Sequence, residues 1–172
     1  MSKQTGKSIT EIKSQLKQNK FNSIYFLYGD DEFALNEALD LIEKSVQPII
    51  TNDFDKQTFY GSEKNLAEVI DFAQSFPFAS EKKLAIVKEF EKMYNKSESK
   101  LFLYYLNSPA DFTILVLIYN DDLKKLSSEE ISLLAKNDWL YEGKELREKN
   151  LMEWLVSTTK MDDKNLSSFD AQ

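Results

Sequence analysis

The sequence lacks cysteine and histidine altogether among its 172 residues. The absence of cysteine excludes disulfide bonds, a thiol nucleophile and zinc–thiolate sites. The absence of histidine removes the most common general base and the most common metal ligand. Arg147 is the single arginine, which leaves little means of holding a phosphate in bidentate fashion or of supplying an arginine finger. Thiol and imidazole chemistry is therefore excluded, and any catalysis or metal binding would depend on carboxylates, hydroxyls and lysines.

Long hydrophobic runs are missing as well. None is longer than the run from Ile114 to Tyr119, which has the length of a β-strand and is far short of the ~20 residues that cross a bilayer. The N-terminal residues do not have the pattern of a signal peptide, so we expect a cytoplasmic protein with no membrane contact. The chain is 42% hydrophobic and 30% charged, a composition typical of a globular domain that buries its own core.

Charge is distributed unevenly along the chain. The first twenty residues contain five lysines and one acid, Glu11, which gives +4, whereas the whole chain carries −7. The remaining residues therefore carry −7 − 4 = −11. Because an acidic body repels phosphate backbones, we expect any contact with DNA to occur only within a larger complex.

Apolar runs of strand length alternate with helical periodicities along most of the chain. The runs predict strands over residues 23–28, 54–60, 83–88, 112–119 and 138–141. The periodicities predict helices over 9–18 and after residues 30, 62 or 65, 97 and 127. Ser127 and Glu130 form a capping-box pattern, and Asp30 is the expected cap of the second helix. This order predicts an α/β fold in which a parallel sheet is flanked by helices.

The alternation of predicted strands and helices ends after Gly143. Residues 145–160 have the spacing of one long helix, and the last residues of the sequence resemble the start of another. We therefore predict two domains. An α/β domain covers residues 1–142, and residues 143–172 are the start of a helical domain that is truncated where the sequence ends.

The first β–α turn, from Gly29 to Leu35, is where a nucleotide-binding fold would hold phosphate. A P-loop needs several glycines, a lysine and a hydroxyl group. This turn has one glycine, three acidic residues and neither a lysine nor a hydroxyl. The sequence thus predicts the geometry of a nucleotide-binding fold without its phosphate-binding chemistry, and no cofactor is expected.

Acidic residues after two of the predicted strands suggest an alternative, in which the chain is a metal-dependent enzyme. Asp30 and Asp31 follow the first strand, and Asp121 and Asp122 follow the strand that ends at Tyr119. If both strands are central, these carboxylates share one sheet edge, as in a magnesium-dependent phosphotransferase or phosphohydrolase. The opposing interpretation gives each acid a structural role at a helix N-terminus or in a turn.

An aromatic helix end is the feature that packing explains least. Phe72 and Phe76 lie one helical turn apart, and Pro77 and Phe78 follow immediately. Either these rings are buried under the edge of the sheet, or they form a hydrophobic plug for the groove of a partner. The residues alone leave both interpretations open.

Two strings resemble the bacterial DNA polymerase III delta subunit family. They are IYFLYGDDEF at residues 24–33 and SFPFASEKKLAIV at residues 75–87. The resemblance implies a P-loop NTPase/AAA+-like domain without a functional P-loop, followed by the start of a small helical lid domain. A third, helical domain of the family would lie beyond this sequence.

The same resemblance implies a function in DNA replication. A member of this family is a clamp-loader subunit of the DNA polymerase III holoenzyme, a nucleotidyltransferase complex. It performs no catalysis of its own and binds and helps to open the sliding clamp. The implied partners are the clamp (beta subunit), the gamma/tau and delta prime subunits, and DNA within the assembled complex. A degenerate nucleotide-binding domain that acts as a scaffold in another complex is a further interpretation.

The resemblance also implies where the clamp would bind. The family's contact resembles the pentapeptide Gln-Leu-Ser/Asp-Leu-Phe at a helix end. Gln74 and Phe78 match its first and last positions, whereas Ser75 and Pro77 replace the leucines. We expect no catalytic or metal-binding residues. The expected clamp-binding residues are Phe72, Gln74, Ser75, Phe76, Pro77 and Phe78.

Overall fold

The fold is built on one parallel β-sheet. The computed structural model describes residues 6–143, 152–153 and 155–156. Within these ranges six strands form the sheet in the order β1-β6-β2-β5-β4-β3, and every neighbouring pair is parallel. The strands are β1 (Lys7–Ser8), β2 (Ile24–Gly29), β3 (Lys56–Tyr60), β4 (Lys83–Lys88), β5 (Thr113–Tyr119) and β6 (Leu140–Gly143). The predicted α/β class is confirmed.

Helices connect the strands. They are α1 (Ile12–Leu16), α2 (Glu32–Val46), α3 (Leu66–Gln74), α4 (Phe90–Met93), α5 (Ser99–Asn107) and α6 (Ser128–Lys136). Reciprocal capping boxes, Asn65 with Glu68 and Ser127 with Glu130, begin α3 and α6. Each pair satisfies two backbone N–H groups that a helix start leaves without partners.

The sheet buries both of its faces, and alternate side chains of each strand divide between them. Along β5, Ile114 and Val116 pack against the layer of α1 and α2, whereas Leu115 and Leu117 pack against the layer of α3 to α6. Strands that are buried on both sides explain why the apolar runs in the sequence are continuous.

The structure differs from the predicted elements at a few boundaries. Asp31, and not Asp30, caps α2, since its carboxylate accepts a hydrogen bond from the Ala34 N–H at 3.0 Å. Phe54 lies outside β3, in the 3₁₀ turn Asp53–Asp55. Asn95 caps the 3₁₀ turn Lys96–Glu98, so helical backbone begins before the start predicted after residue 97, and α5 itself begins at Ser99. The strand β1 and the helix α4 were not predicted, because segments this short show no periodicity.

The predicted second domain lies almost entirely outside the described residues. Residues 152–153 and 155–156 are helical, which falls within the helix expected over 145–160. The boundary at residue 142 therefore stays a prediction. In the described part of the chain, no helix combines the length and the apolar character that crossing a membrane requires.

Gly29 gives a direct test of the sheet geometry. Its φ is 138°, and a Cβ atom at this position would lie 2.2 Å from the carbonyl oxygen of Gly143 on the neighbouring strand. We expect Gly29→Ala to lower the free energy of unfolding by about 2 kcal/mol or more, because backbone strain adds to a steric clash. Urea denaturation measures the change.

Asn19→Gly is the matched control for this substitution. Asn19 also has a positive φ, 52°, but there glycine relieves strain and adds no side chain. Its unfolding free energy should lie within about 0.5 kcal/mol of the wild type or above it. Equal stability of Gly29→Ala and the wild type would contradict the described pairing of β2 with β6.

Candidate partner-binding surface

A parallel sheet has two chemically different edges, and the candidate features divide between them. The segments that precede β3, β4 and β5 lie at the amino edge, where the strands begin. The turns that follow β2 and β5 lie at the carboxyl edge, where a nucleotide-binding fold holds its ligand. The aromatic segment around residues 75–80 precedes β4 and therefore lies at the amino edge.

Three phenylalanine rings are exposed at the amino edge. The exposed fraction is 77% for Phe54, 82% for Phe76 and 75% for Phe78. The rings of Phe54 and Phe78 contact each other with centroids 5.8 Å apart, and Phe76 lies 5.0 Å from the half-buried ring of Phe112. We call these four residues the aromatic surface. Large apolar side chains grouped in this way are typical of interaction sites.

Asp55 holds the loop that carries Phe78. Its side chain is buried, with 1% of the residue exposed. One carboxylate oxygen accepts the Phe78 N–H at 2.5 Å, and the other accepts those of Ala79 at 3.0 Å and Ser80 at 2.8 Å. Three consecutive backbone amides are thus bound to one carboxylate, which fixes the loop at the point where Phe78 enters it.

The protonation state of Asp55 follows from these contacts. Burial by itself raises the pKa of a carboxyl group, because the charged form is poorly solvated. The hydrogen bonds from the backbone N–H groups of residues 78–80 and from the Ser80 hydroxyl outweigh burial and lower the pKa of Asp55 to about 2. The group is therefore ionised throughout the neutral range.

A second set of hydrogen bonds joins the same loop to the segment before β3. The Ser80 Oγ accepts the N–H of Thr51 at 2.9 Å and that of Asn52 at 3.1 Å. The Asn52 Oδ1 in turn accepts the Phe54 N–H at 2.8 Å and caps the 3₁₀ turn. The segments 51–55 and 78–80 therefore form one hydrogen-bonded frame under the aromatic surface.

Lys83 holds the end of α3. Its Nζ donates to the carbonyl oxygens of Phe72, at 2.5 Å, and of Ser75, at 3.1 Å, and also to the Ser75 hydroxyl. Burial lowers the pKa of Lys83, while the charge of Asp55 acts in the opposite direction. A cation at this place binds carbonyls that the helix end leaves without partners. The helix thus ends in a fixed position just before Phe76.

The expected clamp-binding residues occupy different environments. Phe76 and Phe78 are exposed, Gln74 and Ser75 are exposed at the end of α3, and Pro77 is half-buried. The half-buried Phe72 packs against the core. Its ring lies 5.7 Å from that of Phe59, and the Lys83 Nζ lies 3.7 Å from its centroid.

Phe54, Asp55 and Lys83 are not among the site residues that the sequence predicts. The position of Asp55 could have been predicted from the alternation of side chains along a strand. Asp55 lies four residues before Phe59 in the predicted strand, so the two side chains point to the same, buried face. A buried acid in such a place needs hydrogen-bond donors. Phe54 and Lys83 lie at the starts of the predicted strands 54–60 and 83–88, where we expected no site residue.

Acidic side chains at the carboxyl edge form hydrogen bonds and ion pairs with residues close by in the sequence. Asp31 caps α2, and Asp122 accepts the Lys124 N–H at 3.0 Å and forms an ion pair with its Nζ at 2.6 Å. The Lys124 side chain lowers the pKa of Asp122. In the described part of the chain, no group of three or more potential ligand side chains is arranged to hold a metal ion.

Comparison with known proteins places these features in a family. The model of the family described as DNA polymerase III, delta subunit, matches residues 25–142. The DNA polymerase III subunit delta of Bacillus subtilis is 30% identical over 175 residues, which cover 95% of this chain and 49% of that protein. The chain belongs to the DNA polymerase III delta subunit family. The resemblance inferred from residues 24–33 and 75–87 is confirmed.

Solved structures agree with this assignment. The Bacillus subtilis DNA clamp loader delta protein matches with a TM-score of 0.72 and 27% identity, over 95% of this delta-family chain and 50% of that one. A gamma subunit-related protein and the RuvB T158V protein, both from Thermotoga maritima, match with TM-scores of 0.57 and 0.52 at 16% and 15% identity. These two support the predicted AAA+-like fold alone.

The chain spans about half the length of its delta relatives. The magnesium-dependent alternative finds no support in these comparisons, and three of the four carboxylates on which it depended, those of Asp31, Asp121 and Asp122, have structural partners at the sheet edge. The amino edge, with its aromatic surface, is therefore the candidate site of this delta-family chain.

Asp55→Asn tests the frame under the surface. The amide keeps the size of the side chain, but its NH₂ group cannot accept a hydrogen bond. At least one N–H of residues 78–80 then loses its partner on the buried Asp55 side chain, which costs about 1–3 kcal/mol. We expect the free energy of unfolding at pH 7 to fall by that amount in urea denaturation.

The difference in unfolding free energy between the wild type and Asp55→Asn should depend on pH in a defined direction. The pKa of folded Asp55, about 2, lies below its ordinary value of 3.8. The ionised group therefore stabilises the fold fully above about pH 5 and progressively less as the pH falls through 4 towards 2. The stability gap between wild type and Asp55→Asn should narrow over that range. A gap that is constant from pH 7 to pH 2.5 would contradict the assigned role.

Proposed function

We propose that this delta-family chain is the clamp-binding part of a clamp-loader subunit. In this proposal the aromatic surface binds the sliding clamp of the replication machinery, with Phe76 and Phe78 as the principal anchors. The single observation that carries the proposal is the exposure of these two rings. They are held out by a fixed loop at the position that the family resemblance assigns to clamp binding.

The energetics of the surface support such a role. Burying a phenylalanine side chain contributes ~1.5–3 kcal/mol, so two rings in apolar pockets, together with neighbouring contacts, are sufficient for micromolar binding at ~8 kcal/mol. The frame formed by segments 51–55 and 78–80, together with Lys83 at the end of α3, orders the loop before any partner arrives. A preorganised loop loses less conformational entropy on binding, which increases affinity.

The neighbouring residues contribute in different ways in this proposal. Gln74, Ser75 and Pro77 form the rim of the contact beside the two anchors. Phe72 supports the surface from the core side. Its ring packs on Phe59 and lies under the Lys83 ammonium group that binds the helix end. It supports the geometry of the helix end and does not need to enter the clamp.

Clamp opening requires no chemistry from this chain. A protein that binds the strained, open form of a ring more tightly than the closed form shifts the ring towards opening. We propose that the subunit works in this way, without nucleotide hydrolysis of its own. Its partners would be the beta clamp, gamma/tau and delta prime subunits in the cytoplasm. DNA would be contacted only in the assembled complex.

The double variant Phe76→Ala/Phe78→Ala tests the proposal. We expect the full-length wild-type chain to bind the sliding clamp of the same organism with micromolar or tighter affinity. The variant should bind more than ~30-fold more weakly, equivalent to ~2 kcal/mol, because both anchors are removed. Isothermal titration calorimetry or biolayer interferometry measures the two affinities.

Tyr104→Ala is the matched control variant. Tyr104 is an exposed aromatic residue, 65% accessible, on α5, and its truncation should leave clamp affinity within about twofold of the wild type. All variants are compared at equal thermal stability. Equal clamp binding by wild type and double variant would refute the assigned contact, and failure of the wild type to bind would refute the function.

A further inference from the structure

Phe54 is the exposed ring of the aromatic surface that the family motif does not contain. It lies on the 3₁₀ turn Asp53–Asp55, before β3, and its backbone N–H is bound by the Asn52 side chain at 2.8 Å. The turn is therefore a defined structure that presents the ring in one direction. A phenylalanine that is 77% exposed on an ordered turn contributes little to the core.

The contact between Phe54 and Phe78 does not explain why Phe54 is aromatic. The rings meet edge to face, with an angle of 60° and centroids 5.8 Å apart. Such pairs are worth about 0.5–1.5 kcal/mol when buried, but here both rings keep three quarters or more of their surface in water. The pair presents one continuous apolar area to the solvent, larger than either ring alone.

Phe54 and Phe78 also keep a constant relative position. Asp55, the next residue after Phe54, binds the Phe78 N–H directly, and the Ser80 Oγ binds the backbone of Thr51 and Asn52. The two rings are thus anchored to the same frame on both sides. A partner pocket that receives Phe78 must therefore accommodate Phe54 or leave it beside the contact.

We propose that Phe54 is a direct contact residue for the sliding clamp, adjacent to Phe78. The clamp contact then comprises two chain segments, the helix end at 74–78 and the turn at 53–55. This inference rests on the proposed function and extends it. The occupant is the clamp itself, because the Phe54 ring is continuous with the anchor Phe78 and shares its frame.

Photocrosslinking together with affinity measurement tests the contact. The full-length chain carries p-benzoylphenylalanine at position 54, or at position 104 as the control, and is irradiated with the clamp of the same organism. We expect a crosslink from position 54 to the clamp and none from position 104. Phe54→Ala should weaken clamp binding by at least about fivefold, the effect expected of a central contact residue, whereas Tyr104→Ala should not.

The outcomes separate this inference from the proposed function. Unchanged affinity of Phe54→Ala, with Phe76→Ala/Phe78→Ala still defective, overturns the role of Phe54 and leaves the proposed function intact. Weaker binding without a crosslink shows that Phe54 acts only by supporting Phe78, which also overturns a direct contact. Crosslinks to a second copy of this chain in place of the clamp assign the ring to self-association. Failure of the wild-type chain to bind the clamp refutes both proposals.

Discussion

The carboxylate of Asp55 is the interaction on which the amino edge of this molecule depends. A buried charge is costly unless hydrogen-bond donors replace the water that it loses, and here three consecutive backbone amides do so. The same three amides belong to a loop with no regular secondary structure that would satisfy them. The carboxylate and the loop therefore stabilise each other, and neither would be stable in this position alone.

This arrangement explains how exposed phenylalanines persist on an ordered surface. A flexible loop with two apolar rings would fold back onto the protein to remove them from water. Asp55 fixes the loop backbone at residues 78–80, and Lys83 fixes the helix end at residues 72–75. Residues 76 and 77 lie between two anchored points, which limits collapse of the Phe76 ring onto the sheet. The exposed position of the rings thus depends on two buried charged groups, Asp55 and Lys83.

The sequence allowed most of the fold to be predicted, because the strands buried on both faces have continuous apolar runs and the longer helices have clear periodicity and caps. It also directed attention to Phe76 and Phe78. It did not reveal Phe54, Asp55 or Lys83, since their roles arise from tertiary contacts between separate segments that the local sequence pattern does not show. An isolated acid beside a phenylalanine has the same local pattern whether it is solvated or holds a loop. Only the placement of β3 next to β4 distinguishes the two cases.

The crossover from β3 through α3 to β4 has a consequence for any attempt to graft this surface onto another protein. Phe54 and Asp55 precede the crossover, Phe76 and Phe78 lie near its end, and the frame exists only when both ends meet. The surface is thus not a linear peptide motif that can be transferred to another protein by copying one segment. Because the Asp55 carboxylate binds the Phe78 N–H, we expect a substitution at position 55 to displace residue 78, so a copied helix end alone would lack its support.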